Sequence, residues 1–312
     1  NLLGVDALAG RVLWSYPWKT SYDVNASDPV VKGNEFFITS GYGHGCALVR
    51  VQDNSPSLVW ENKNMRSQLS GPVLIDGCLY GIDDNELACL DWKTGRKMWS
   101  EKKTGKGSLT AAGDKLIILS EKGELLIAAA DPQQYTELAS ARVLEGRCWT
   151  MPVLSGGRIY ARNAKGDLVC VDVRTKKNPA RLADRPEMIT AADFARPHAD
   201  WPQWQGPAGN NKSPQTGLLK RWPEGGPRQV WLARGIGDGY SSPAAADGKL
   251  YVTGMEDKKG LLTCIDRDGS RIWQADYGPE WTGSYPGVRC SPTVYKNHIY
   301  IISGKGQVVC FD

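Results

Sequence analysis

The feature that most constrains this chain is a phrase it repeats. Residues 89–99 read CLDWKTGRKMW, and residues 4–14 read GVDALAGRVLW. In both, an Asp opens a polar turn that contains a Gly, and a Trp stands eight residues after the Asp. Aligned on that turn, the triplets are Gly4-Val5-Asp6, Arg50-Val51-Gln52, Cys89-Leu90-Asp91, Ala129-Ala130-Asp131, Cys170-Val171-Asp172, Cys264-Ile265-Asp266 and Cys310-Phe311-Asp312. Their third positions lie 46, 39, 40, 41, 94 and 46 residues apart. A fixed period of this size is the mark of a repeat architecture.

Each copy has an upstream half. SDPVVKGNEFFITS, SGPVLIDGCLYGID, TMPVLSGGRIYARN, SSPAAADGKLYVTG and CSPTVYKNHIYIIS share one plan, and GSLTAAGDKLIILS repeats it without the Pro. A Pro opens, where a strand's first residue can lack its N–H. A short apolar stretch follows, then a Gly or Asn turn, then an alternating stretch, which reads as a hairpin. A unit is therefore four short strands: A and B upstream, C ending at the Asp, D carrying the Trp. The Asp carboxylate can accept hydrogen bonds from amides of the C–D turn, and the Gly supplies a positive φ there. The Trp buries its indole against a neighbouring unit. The predicted fold is all-β, a β-propeller of four-stranded blades.

Composition agrees and excludes other classes. Among 312 residues, 41% are hydrophobic and 23% charged, a globular balance. The net charge of +4 spreads over 38 basic and 34 acidic residues with no long basic run, so nucleic acid is not an expected partner. No apolar run approaches the roughly 18 residues of a transmembrane segment. The first residues, NLLGVDALAG, lack the basic start and apolar core of a signal peptide, so the chain reads as cytosolic, already processed, or an excerpt. Of eight Cys, Cys89, Cys170, Cys264 and Cys310 recur at one register. That places each in a different unit, as a small buried residue rather than a disulfide partner.

These motifs resemble the tryptophan-docking repeats of the PQQ-type β-propellers, the superfamily of quinoprotein alcohol dehydrogenases and the envelope assembly factor BamB. The resemblance rests on Asp6 with Trp14, Asp91 with Trp99, and Asp266 with Trp273. Gln52 replaces Asp before Trp60, and Ala139 stands where the copy of Asp131 should have its Trp. DWPQWQGP at 200–207, followed by LLKRWPEGGPRQVW, is similar to the mature start of bacterial PQQ-binding-like repeat proteins. That start lies mid-chain here. Residues 1–172 then read as blades from the C-terminal part of an eight-bladed template, and 228–312 as blades from its N-terminal part. Residues 173–227 read as a connector without strand alternation, with a short helix around Ile189–Phe194. Trp231 lies in a D strand that has no A to C strands before it, so it is expected to complete the blade ending at Asp172. The count is about five complete and two partial blades, as in a permuted chain or one lacking a segment between Asp312 and Asn1. The resemblance implies the periplasm or cell envelope.

Function is expected on the loops that join blades. The long D-to-A loops carry Trp18, Tyr22, Asn25, Arg66, Arg147, Trp149, Asp238, Tyr240, Trp281, Tyr285 and Arg289. Aromatic and Arg side chains on converging loops suit a binding surface; equally, they can brace the loops and fill a channel. The quinoprotein enzymes of the superfamily hold calcium beside the quinone with carboxylate and amide oxygens. Asp23, Asn25 and Asp238 are the oxygen donors at hand, but nothing in the sequence brings them together, and the adjacent Cys pair common in those enzymes is absent. The reading is therefore no PQQ, no calcium and no catalytic residue. GYGHG (41–45) and GIGDG (235–239) lead into strands rather than helices, which a phosphate site would need. DRDG (266–269) is the C–D turn, not a calcium loop. His44, His198 and His298 lack metal-ligand spacing. Asp83-Asp84 reads as a solvated turn. The expected function is a non-enzymatic scaffold of the bacterial envelope that binds a protein or peptide. The alternatives are a PQQ/calcium-dependent oxidoreductase and a carbohydrate or small-molecule binder.

Overall fold

The computed structural model describes residues 1–175, 200–219 and 221–312. It divides into two compact units: Asn1–Ser108 with Ala130–Thr136, and Leu109–Ala129 with Glu137–Asp312. The helix expected around Ile189–Phe194, and His198, lie outside the described residues.

The first unit holds three antiparallel sheets whose strands neighbour one another in chain order. A two-stranded sheet pairs Leu2–Val5 with Val12–Tyr16. A four-stranded sheet runs Val30–Lys32, Glu35–Ser40, Gly45–Gln52 and Ser55–Asn62. The next runs Val73–Ile75, Cys78–Asp83, Glu86–Asp91 and Lys97–Glu101. The second unit continues the plan with Ser108–Ala112 (its first residue counted in the other unit), Lys115–Leu119, Glu124–Ala129 and Glu137–Arg142. A further sheet joins Val153–Ser155, Arg158–Arg162 and Leu168–Asp172 to a D strand from much later, Arg228–Ala233. Trp231 stands opposite Cys170 in it, as the pattern predicts. Ala244–Ala246, Lys249–Glu256, Lys259–Ile265 and Arg271–Pro279 form another four-stranded sheet, and Thr293–Tyr295, His298–Ile302 and Val308–Phe311 a three-stranded one.

The A–B hairpins owe their form to the turn residues. Asp76-Gly77 and Asp247-Gly248 hold φ of 46° and 82°, and of 48° and 81°. Two successive positive φ values give a turn whose twist matches the flanking strands.

The repeated Trp makes a row across four of the sheets, and in three of them the repeated Cys stands at its centre. Tyr80, Cys89 and Trp99 stand opposite one another on strands B, C and D, as do Tyr160, Cys170 and Trp231, and Tyr251, Cys264 and Trp273. Phe37, Leu48 and Trp60 form the fourth row. The two rings of each row come within 5.8–6.2 Å, centroid to centroid. Where Cys stands between them, its small side chain lets them approach over the middle strand. In the three-stranded sheet Tyr300 and Cys310 are opposite each other, and Cys310 is exposed.

A β-bulge accompanies the row. In all six C–D pairs among the described residues the register slips beside the Trp position, at Gly4/Val5, Leu48/Val49, Lys97/Trp99, Ile127/Ala128, Cys170/Val171 and Cys264/Ile265. The extra residue re-aims the side chain that follows. The indoles of Trp60, Trp99 and Trp231 then donate to backbone carbonyls of the next copy's turn: to Trp92 at 3.0 Å, Asp131 at 2.8 Å and Arg267 at 2.7 Å. The turn glycine is the seat. A Cβ on Gly95 would lie 2.6 Å from Trp60, and one on Gly269 2.7 Å from Trp231. Glycine is needed there for the indole as well as for φ values of +68° and +90°. The turn's Asp does accept from the amides: Asp6 from Leu8 and Ala9 at 2.9 Å, Asp91 from Thr94 at 2.8 Å, and Asp131 from Gln133 at 2.8 Å.

Two expectations need correction. The described part of 173–227 carries strand pairing, though its sequence shows no alternation. Lys212–Ser213 pairs in parallel with Ala111–Ala112, Arg174 bridges Leu218, and Trp201, fully buried, bridges Ala245. Trp222 packs on the same core cluster as Ala139, whose own copy lacks the indole. A shallow cleft of about 600 Å³ runs between Leu138–Arg142 and Arg221, Trp222, Pro223, Gly225 and Gly226. The second correction concerns Asp83, which is no solvated turn residue. It is fully buried, held by Arg66 Nε at 2.6 Å and Lys97 Nζ at 2.7 Å, while Asp84 stays half-buried with Arg66 at 3.4 Å.

Candidate binding site on the loops of the second unit

Five loops of the second unit are laced by backbone hydrogen bonds. Cys148 N donates to Glu121 O at 2.8 Å, Ala164 N to Arg147 O at 2.8 Å, Gly239 N to Ala164 O at 3.0 Å, and Tyr240 N to Val288 O at 2.7 Å. The contacts are close enough to require glycine. A Cβ on Gly166 would meet Gly237 O at 2.5 Å, and one on Gly239 would meet Val288 O at 2.8 Å. Under the lattice sits Arg162, fully buried at the end of its B strand. Its guanidinium donates to the carbonyls of Thr253 (2.6 Å), Gly237 (2.9 Å) and Ser241 (3.3 Å) and to Ser241 Oγ (2.8 Å). Burial pulls it down to about 10, and nearby Asp238 works the other way. Nothing in the alternating RIYAR stretch marks this residue, because its role depends on carbonyls that are 75 to 91 positions away.

On this lattice the aromatic residues gather. Trp149 lies 5.5 Å from Tyr240 and 5.2 Å from Tyr285, ring to ring. Its indole N–H is fixed at 3.0 Å on Glu121 Oε1, a partner the sequence did not suggest. Arg147 lies over both Trp149 (4.5 Å) and Tyr285 (5.2 Å). Arg289 donates to the carbonyls of Ser284 and Tyr285 at 2.8 and 2.9 Å and lies 5.8 Å from the ring of Trp281. Buried Glu280 holds that loop, accepting from Trp281 N, Gly304 N and the Tyr277 hydroxyl. Burial first, then the Glu280 charge, push the Tyr277 phenol up. Tyr285 is 52% and Trp281 38% exposed, whereas Trp149 and Tyr240 are half-buried. Asp238 is spanned by Lys165 at 3.9 Å. Seven of the eleven expected loop residues thus fall in this one unit, with Arg147, Tyr240 and Tyr285 gathered around Trp149.

The remaining expected residues belong to the first unit, and most act as braces there. Trp18 is buried, donating at 2.9 Å to Ser40 Oγ, which donates in turn to Asn25 Oδ1 at 2.9 Å. Arg66 is engaged with Asp83. Burial alone would raise the Asp83 carboxyl, but the hydrogen bonds and charges of Arg66 and Lys97 outweigh it and hold it below the usual range. Tyr22, 81% exposed, lies 5.3 Å from Tyr42.

Two of the oxygen donors considered for calcium already have partners. Asn25 Oδ1 is engaged by Ser40, and Asp238 faces a lysine. Among the described residues no group of three or more His, Cys, Asp or Glu side chains is placed to hold a metal ion.

The family model described as outer membrane protein assembly factor BamB matches residues 1–101 and 216–312. The chain belongs to the BamB family. The crystal structure of BamB from Moraxella catarrhalis is similar in fold, with a TM-score of 0.60 at 15% identity, over 99% of this chain and 77% of that one. No curated protein matches. This BamB-family chain is thus an all-β propeller of PQQ-like repeats. The stretch outside the family match, 102–215, contains the copy that lacks its Trp, together with Glu121, Arg147 and Trp149 of the loop cluster. Among the described residues no helix is long and apolar enough to cross a membrane.

Proposed function

We propose that this chain is a non-enzymatic scaffold of the bacterial cell envelope that docks a protein or peptide on the loop lattice of its second unit. The observation that carries the reading is the cluster of Arg147, Trp149, Tyr240 and Tyr285. It is drawn from three loops and left partly exposed on a backbone that is already fixed. Aromatic rings held this way offer a large contact area at little further cost in ordering. The envelope location, and a part in outer-membrane protein assembly, rest on the family's name alone. Such a scaffold uses neither PQQ nor calcium. A photo-crosslinking residue at Tyr285 should yield one discrete adduct in cells, and the same residue at exposed Ile272, on a D strand, should yield none. Equal yields at both positions would defeat the reading. Dye reduction by alcohols after addition of PQQ and calcium would convert the chain to an oxidoreductase.

A further inference from the structure

Resting on that docking site, we infer that its partner presents an acidic side chain to Arg147. The guanidinium lies over two rings, 4.5 Å from Trp149 and 5.2 Å from Tyr285. Such contacts engage the face of the planar group, while its N–H donors point outward in the plane. Three other exposed cations of this region have carboxylates near them: Lys165 has Asp238 at 3.9 Å, Arg234 has Asp167 at 3.8 Å, and Arg142 has Glu145 at 3.7 Å. Arg147 makes no ion pair or side-chain hydrogen bond among the described residues. The nearby Glu121 is engaged by the Trp149 indole instead.

Arg289 repeats the imbalance. Its donors go to two backbone carbonyls, with no carboxylate partner among the described residues. Two guanidiniums therefore touch Tyr285, one over its ring and one on its carbonyl, and among the described residues neither is paired with a carboxylate. A planar fork held by its face is arranged for a two-point bond to a carboxylate, and stacking removes part of the ordering cost. The rings beside it would take an apolar neighbour in the same peptide. The structure thus points to an extended segment with Glu or Asp next to an aromatic residue.

The test uses a capped, fluorescently labelled peptide, Gly-Glu-Phe-Glu-Phe-Gly, and its Glu-to-Gln counterpart, followed by anisotropy on the full chain. The acidic peptide should bind at least about tenfold more tightly than the Gln peptide, a difference of about 1.4 kcal/mol. Arg147→Lys keeps the charge but loses the planar fork, and should weaken the acidic peptide by a similar factor. Arg271→Ala, an exposed change on a D strand of the same unit, should leave binding unchanged. Affinity should fall below about pH 4 as the peptide carboxylates take up protons. Equal binding of the two peptides, no binding of either to folded protein, or an Arg147→Lys variant that binds normally would overturn the inference. So would displacement by inorganic phosphate at concentrations where acetate has no effect, since that describes a phosphate site. If crosslinking at Tyr285 persists while any of these holds, docking stands and the acidic partner alone is lost.

Discussion

At the scale of single residues, Asp172 shows how one carboxylate joins distant parts of the chain. It ends a C strand and accepts from Arg174 N and Nε at 3.0 Å, from Arg174 NH2 at 2.7 Å, and from Arg228 NH2 at 3.2 Å. Arg228 opens the D strand that arrives 56 residues later. Burial by itself would raise the carboxyl, but these bonds and the Arg174 charge overcome it and hold the group down at about 2. The depressed value means a contribution that is complete above the unfolded value of about 4 and is lost as pH falls toward about 2. Asp172→Asn should therefore cost about 2 kcal/mol at pH 7. In urea unfolding, the gap between variant and parent should shrink steadily below pH 4. A gap that stays constant with pH would mean the residue acts by shape and not by charge.

At the scale of elements, the turn glycines separate two effects that usually come together. Gly10 and Gly95 each stand four residues after their Asp, at φ +67° and +68°. A Cβ on Gly10 meets nothing, whereas one on Gly95 would enter the Trp60 ring. Gly10→Ala should cost about 1 kcal/mol, the penalty of the left-handed conformation alone. Gly95→Ala adds overpacking and should cost about 3 kcal/mol, with a red-shift of tryptophan emission as the Trp60 indole leaves its seat. Chemical denaturation of both variants checks the difference, and equal costs would remove the docking argument. The seat itself was not legible in the sequence, where the Gly reads simply as a turn former. The strands and the late arrival of Trp231 were legible, because period-2 patterning and the roughly forty-residue spacing are properties of the chain alone. The bulge before each Trp was hidden, since a one-residue slip leaves no mark in composition. Lys212–Ser213 was hidden because two residues are too few to alternate. Burial of Asp83 depends on Arg66 and Lys97, which lie 17 and 14 positions away, so an adjacent acidic pair looked solvated. The candidate binding residues were read from the sequence as loop aromatics and cations, but the sequence could not tell Trp18, which donates its N–H inward to Ser40, from Trp149, which stays half-exposed. That difference lies in which loops each one meets.

At the scale of the whole molecule, the eight cysteines report on every sheet but two, the first two-stranded one and the one that begins at Ser108–Ala112. All are free; six are buried, Cys290 is half-buried and Cys310 is exposed. Burial pushes the thiols of Cys46, Cys89, Cys148 and Cys170 up to about 12 and that of Cys264 to about 11. With so little thiolate, these five should resist a thiol reagent in the native protein, with Cys78 shielded beside them. Only Cys310 should react at once, with Cys290 trailing. Pulsed labelling along a urea gradient, read by mass spectrometry, then tests what couples the sheets. Each sheet carries its own hairpin pairing, and four carry an aromatic row, so a sheet could melt alone; the indole seated in the next turn is what ties it to its neighbour. In the first unit Cys46 lies in the sheet that donates Trp60, and Cys78 and Cys89 lie in the sheet that receives it. The three should become labelled at one common urea concentration. Trp60→Phe keeps an apolar ring but deletes the N–H donated to Trp92 O, and should draw the Cys46 midpoint below that of Cys78 and Cys89. Midpoints already separate in the parent would show that the seated indoles do not couple the sheets.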